Sequence, residues 1–180
     1  MSNKLSAKEK AFFWEEVRQV CSSSRMNKSR TFYQHGKINI YVHSLRVAYI
    51  CYYWVKKYHL HVDEKALIRG ALLHDYFLYD WHEHRKVNSF KELHAFSHPK
   101  IALENSLKNF TLNDLEKDVI VKHMWPLTVK LPKYKESYIV TFVDKYCATV
   151  EFFKYLNKKF KLRMVYRYAY IFLTIFFVRF

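Results

Sequence analysis

Only two glycines, Gly36 and Gly70, and three prolines, Pro99, Pro126 and Pro132, occur in 180 residues. Average usage would supply roughly a dozen glycines and nine prolines in a chain of this length. Tight hairpins rely on glycine and Asn-Gly pairs for positive φ, so a hairpin-rich architecture has little to turn on. An all-α fold is therefore expected. A hydrophobic share of 51%, with 19% aromatics, is ample for one sizeable core, so a single domain over residues 1–180 is the expectation.

Helical spacing supports this along the chain. Ser6 with Glu9 forms a capping-box pattern, and Phe12, Phe13, Val17 and Val20 follow on one face, predicting a helix over about 7–20. The polar stretch 21–30 reads as a loop. Asn39 caps a second helix in which Ile40, His43, Val47, Ile50 and Trp54 share a face, and another follows Asp63 through Leu73 and His74. Pro99 suits a first helical position, which leaves His98 at the lip. Thr111 with Asp114 opens a helix carrying Val119, Ile120 and His123 and stopped at Trp125-Pro126. A long helix over about 134–157 holds Ile139, Val143, Asp144 and Cys147, giving at least six helices in all.

Three cysteines, Cys21, Cys51 and Cys147, are an odd, widely spaced set that points to reduced thiols. Residues 1–10 are polar, so no secretory leader is expected, and the reduced thiols make a cytoplasmic location the expectation. The net charge of +15 is spread along the chain, with some concentration at 154–167. It suits phosphorylated small molecules as well as polyanions, and specific nucleic-acid binding is not the expectation. The uncharged, largely apolar run Tyr168–Val178 is shorter than the roughly 20 residues of a spanning helix. Residues 151–180 read as a basic, apolar helical extension that packs on the core or a partner. Membrane contact there is the less favoured alternative, and the aromatic tail makes a homo-oligomer plausible.

Histidines and carboxylates in apolar surroundings mark the chemistry. His74-Asp75 ends an apolar run (ALLHD), His43 interrupts an apolar helix face, and Asp144 sits inside Ile139–Val150, where an unpaired acid is expensive. His98 and His123 each fall at a helix terminus. Such a set suits Fe, Mn, Zn, Co or Ni, and a bridging carboxylate suits a two-metal site.

The order H…HD…H…H…D resembles the HD-domain phosphohydrolase superfamily. HSLRVA (43–48), ALLHDYF (71–77), FSHPKIA (96–102), VIVKHMW (119–125) and IVTFVDKYCA (139–148) each resemble a helix of that family, in order, over about residues 39–150. The resemblance implies a helical bundle of six or more helices in which His43, His74, Asp75 and Asp144 bind a divalent metal. It also implies that His98 and His123 help hold a second ion. The ions would share Asp75 and a hydroxide that attacks the phosphorus of a phosphomonoester or phosphodiester, with a nucleotide as the expected substrate.

The chain departs from many relatives by lacking a lysine three or four residues after the HD aspartate, where Leu78 and Tyr79 stand. That departure keeps a non-catalytic nucleotide- or RNA-binding module as the alternative function. Asp80 or His82 are the candidates for the general acid. Arg46, one turn from His43, and Lys145, beside Asp144, are candidates for holding phosphate, or else ordinary salt-bridge partners. His94 rivals His98 from one helical turn away, His35 is a possible pocket residue, and His59, His61 and His84 read as surface residues.

Overall fold

The computed structural model describes residues 4–22, 24–35, 38–80 and 94–178, with backbone alone at 24, 25, 34, 35, 162 and 165–178. The described chain is helical apart from one short strand pair. Helix α1 (Ala7–Cys21) starts at the expected capping box: the Ser6 hydroxyl accepts the Glu9 N–H at 3.3 Å while the Glu9 carboxylate accepts the Ser6 N–H at 2.7 Å. It buries Phe13, Val17 and Val20, and the Phe13 ring stacks on Tyr52 at 5.8 Å.

The stretch read as a loop contains a short helix, α2 (Ser24–Lys28). Its anchor is Met26, which is fully buried, and the Ser29 hydroxyl closes the turn by donating to the Met26 carbonyl at 2.6 Å. One apolar residue in a polar decapeptide has no period, so sequence pattern gave no sign of it. Strands β1 (Tyr33–His35) and β2 (Ile38–Asn39) form a minimal antiparallel pair leading into α3 (Ile40–Lys57).

Asn39 caps α3 by accepting the Val42 N–H at 2.9 Å, and Asp63 caps α4 (Glu64–Leu73) through the Ala66 N–H at 2.9 Å. Helix α5 spans His94–Leu107 and so begins before Pro99, contrary to expectation. A proline there forfeits the bond to the Ala95 carbonyl, but the extra turn is held by the His98 Nδ1–H donating to the His94 carbonyl at 2.7 Å and by stacked His94 and His98 rings. Helix α6 (Asp114–Lys122) is capped by Asn113 rather than Thr111, because Asn113 and Glu116 form a full capping box. Helix α7 (Lys135–Val178) runs 44 residues, well past the expected end near 157.

The core gathers Val47, Cys51, Leu67, Ala71, Leu72, Ile120, Val140 and Val143 between α3, α4, α6 and α7. Helices α4 and α6 approach closely at Gly70, where a Cβ would lie 3.0 Å from the Val119 side chain. Arg69 Nε donates to Glu116 at 2.5 Å across the same contact. The three cysteines are free. Among the described residues no helix is long and apolar enough to cross a membrane.

Candidate metal centre

The packing of these helices brings six widely separated residues to one buried point. His43 comes from the second turn of α3, His74 is the C-cap of α4 with Asp75 directly after it, His98 lies in α5, His123 is the C-cap of α6 and Asp144 lies in α7. All six are buried. Asp75 is central. Its Oδ2 lies 3.3 Å from His74 Nε2 and 3.7 Å from His43 Nε2, and its Oδ1 lies 3.2 Å from His98 Nε2 and 3.5 Å from His123 Nε2. Asp144 Oδ1 completes the first set at 3.0 Å from His43 Nε2 and 3.6 Å from His74 Nε2. Two groups result, His43–His74–Asp75–Asp144 and Asp75–His98–His123, each with one donor atom per residue within 4.8 Å of the others.

The hydrogen bonds on the far side of the rings fix what the near side offers. Nδ1 of His74, His98 and His123 faces the carbonyls of Ala71, His94 and Ile120 at 2.7, 2.7 and 2.8 Å. A carbonyl only accepts, so each Nδ1 carries a proton and each Nε2 is the atom left to face a cation at the centre. His43 Nδ1 instead donates to Glu151 at 3.1 Å, and Glu151 is in turn paired with Arg46. Such outer partners orient a ligand ring and raise its basicity.

This arrangement suits a cation well. The Nε2 atoms of His98 and His123 lie 2.8 Å apart, so either a proton shared between them or a cation bound by both must separate their lone pairs. The buried Nε2 of His74 makes no hydrogen bond of good geometry. Burial opposes an imidazolium at His43, yet Asp144 on one nitrogen and Glu151 on the other push its pKa up to about 9. His123 goes the other way, down to about 3, chiefly because burial disfavours its charged form. Burial would raise the carboxyls of Asp75 and Asp144, but the neighbouring imidazoles hold both well below the usual range. Buried carboxylates and imidazole lone pairs aimed at one point are a hard-to-borderline donor set for a divalent ion.

The other candidates fall around this centre. Arg46 makes the salt bridge to Glu151 and keeps about a third of its side chain exposed (35%). Lys145 is half-buried and donates to the His123 carbonyl at 2.9 Å, with burial lowering its pKa. His94 contributes its carbonyl and its stacked ring to His98, and its Nδ1 shares a hydrogen bond of 2.9 Å with the Tyr79 hydroxyl. Asp80 is half-buried at the end of the segment after Asp75, and His59 and His61 are exposed. His82, His84 and the His35 side chain lie outside the described residues. Glu151 was not anticipated; its position two helical turns after Asp144 on α7 was the available signal. Asn105 was also missed: its amide donates to the carbonyls of Tyr76 and Phe77 at 3.1 Å each and pins the segment after the HD pair, where Leu78 takes a positive φ of 51°.

Neither the curated proteins nor the solved structures give a match to the chain. The family model for the HD domain matches residues 40–149, more than half of the sequence and a span that includes all six converging residues, and the chain belongs to the HD domain family.

Proposed function

We propose that this protein is a metal-dependent phosphohydrolase acting on a phosphomonoester or phosphodiester, with a nucleotide as substrate, the chemistry toward which membership of the HD domain family points. The observation that carries the reading is Asp75, whose two carboxylate oxygens face two separate sets of histidine Nε2 atoms. His43, His74, Asp75 and Asp144 would hold one divalent ion, and Asp75, His98 and His123 a second. Divalent ions held there supply an activated water at neutral pH and offset charge developing on phosphoryl oxygens.

The protein's own groups do the rest. The Nδ1–H bonds to Ala71, His94, Ile120 and Glu151 hold the donor atoms in place, so little reorganisation is needed on binding. Burial keeps bulk water from the carboxylates. A guanidinium has five N–H donors, so the ion pair with Glu151 does not exhaust Arg46, and with Lys145 it supplies positive charge for substrate phosphate. Asp80 is proposed to protonate the leaving group.

A non-catalytic nucleotide- or RNA-binding module is the second reading, favoured by Leu78 and Tyr79 standing where many relatives have lysine. Elemental analysis of protein purified without added metal, with hydrolysis of a phosphoester panel by wild type and Asp75→Ala, separates the two. Near two ions per chain, with turnover lost by about a thousandfold or more in the variant, supports the hydrolase. Metal-loaded protein that binds nucleotides and leaves every ester intact supports the module.

A further inference from the structure

Helix α7 changes character at Glu151. Before it, Val140, Val143, Asp144 and Cys147 are buried in the bundle; after it, every described side chain from Phe152 to Met164 is exposed except the half-buried Leu156. The exposed set includes large apolar groups, with Phe153 at 57%, Phe160 at 61% and Met164 at 45%. Phe153, Leu156, Phe160 and Met164 recur every three to four residues and so lie along one stripe of the helix. Between Phe152 and Val178 the helix carries six basic residues, Lys154, Lys158, Lys159, Lys161, Arg163 and Arg167, and no acid. The backbone continues helical to Val178 through the apolar run Tyr168–Val178, making roughly 40 Å of helix after Glu151 at 1.5 Å per residue.

We infer that residues 152–178 of α7 lie on the surface of an anionic lipid bilayer, with the Phe153–Met164 stripe and the apolar run entering the headgroup region and the lysines and arginines on lipid phosphates and carboxylates. Charge decides among the possible occupants. A second copy would set one acid-free basic helix against another. A nucleic acid would satisfy the lysines and leave the exposed Phe153–Met164 stripe with nothing apolar to cover it. An anionic bilayer offers both complements at once, and the helix is too short in uninterrupted apolar length to cross it.

The test uses the 180-residue chain sedimented with vesicles of phosphatidylcholine alone and with about 30 mol% phosphatidylserine. Partitioning at least about tenfold stronger onto the anionic vesicles, weakened by added salt, is expected. Two variants should each lose about tenfold or more of it: Lys158→Glu/Lys159→Glu/Lys161→Glu, which reverses charge, and Phe153→Glu/Phe160→Glu, which breaks the stripe. These side chains are exposed, and helicity and metal content matching wild type establish that each variant is folded. The inference is overturned if wild type ignores anionic vesicles, or if folded variants bind them as wild type does. A light-scattering dimer abolished by the phenylalanine variant without vesicle binding assigns the face to a second copy, and binding of single-stranded RNA without vesicle binding assigns it to nucleic acid; either outcome also overturns it.

Discussion

The two groups that meet at Asp75 use the same side-chain chemistry with different support. On one side, His43 and His74 share the centre with two carboxylates, Asp75 and Asp144, and the His43 ring is backed by a third, Glu151. On the other, His98 and His123 have, among the described residues, only the carboxylate oxygen Asp75 Oδ1, and both rings are backed by neutral carbonyls. More negative charge and a more basic imidazole favour a cation, so the first group is built to hold its ion tightly. The second depends more on the shared oxygen of Asp75, and its ion is the more easily lost.

The sharpest way to break this comparison is to remove one residue from each side. Asp144→Asn should abolish tight metal retention and lower turnover roughly a thousandfold, because it removes an anionic donor from the stronger group. His123→Ala should retain about one ion per chain through gel filtration, with turnover down roughly a hundredfold. Elemental analysis of the two variants side by side reads the difference. Equal loss of metal from both would show that the groups act as one site.

Glu151 gives a finer test, since it reaches only one group. Glu151→Gln keeps a hydrogen-bond acceptor for His43 Nδ1 but removes the charge and the ion pair to Arg46. Affinity at the first group should fall about 10- to 100-fold while His98 and His123 keep their geometry. Competition with a chelator measures it. An unchanged affinity would mean that Glu151 serves Arg46 alone.

The contrast also shows what could be read from the chain. The six converging residues were legible because each is an ionisable group set in an apolar helix or at its end, where it is costly without a partner. Capping at Ser6, Asn39 and Asp63 was legible because a cap is local. Glu151 was less so: its place two turns after Asp144 puts it on the same face, but it borders a basic, aromatic stretch, and the crossing of α3 and α7 is what brings it to His43. The early start of α5 was hidden because its first turn is held by contacts of the site itself, His98 to the His94 carbonyl and ring on ring, while Pro99 signals a later beginning. The small helix α2 rests on a single buried methionine, which no periodicity can announce.

The smallest expected effect concerns what holds the two groups in register. His74 and His123 cap the C-termini of α4 and α6, and their rings stand 4.9 Å apart edge to face. That spacing depends on the close approach at Gly70, where an added Cβ would lie 3.0 Å from both Cβ and Cγ1 of Val119. Gly70→Ala should therefore destabilise the fold by about 1–3 kcal/mol, since a packed interface has little room to shift. The strain separates the helix that carries His74 from the one that carries His123, so it should weaken the Asp75–His98–His123 group more than the other. Thermal unfolding gives the first quantity and metal content the second. Val119→Gly in the same chain removes the Cβ and both methyls that obstruct the new side chain and should restore most of the metal retention, even though the cavity and a glycine inside α6 are themselves destabilising. Rescue of metal binding without full rescue of stability would show that the α4–α6 distance, and not stability as such, sets the geometry of the second group.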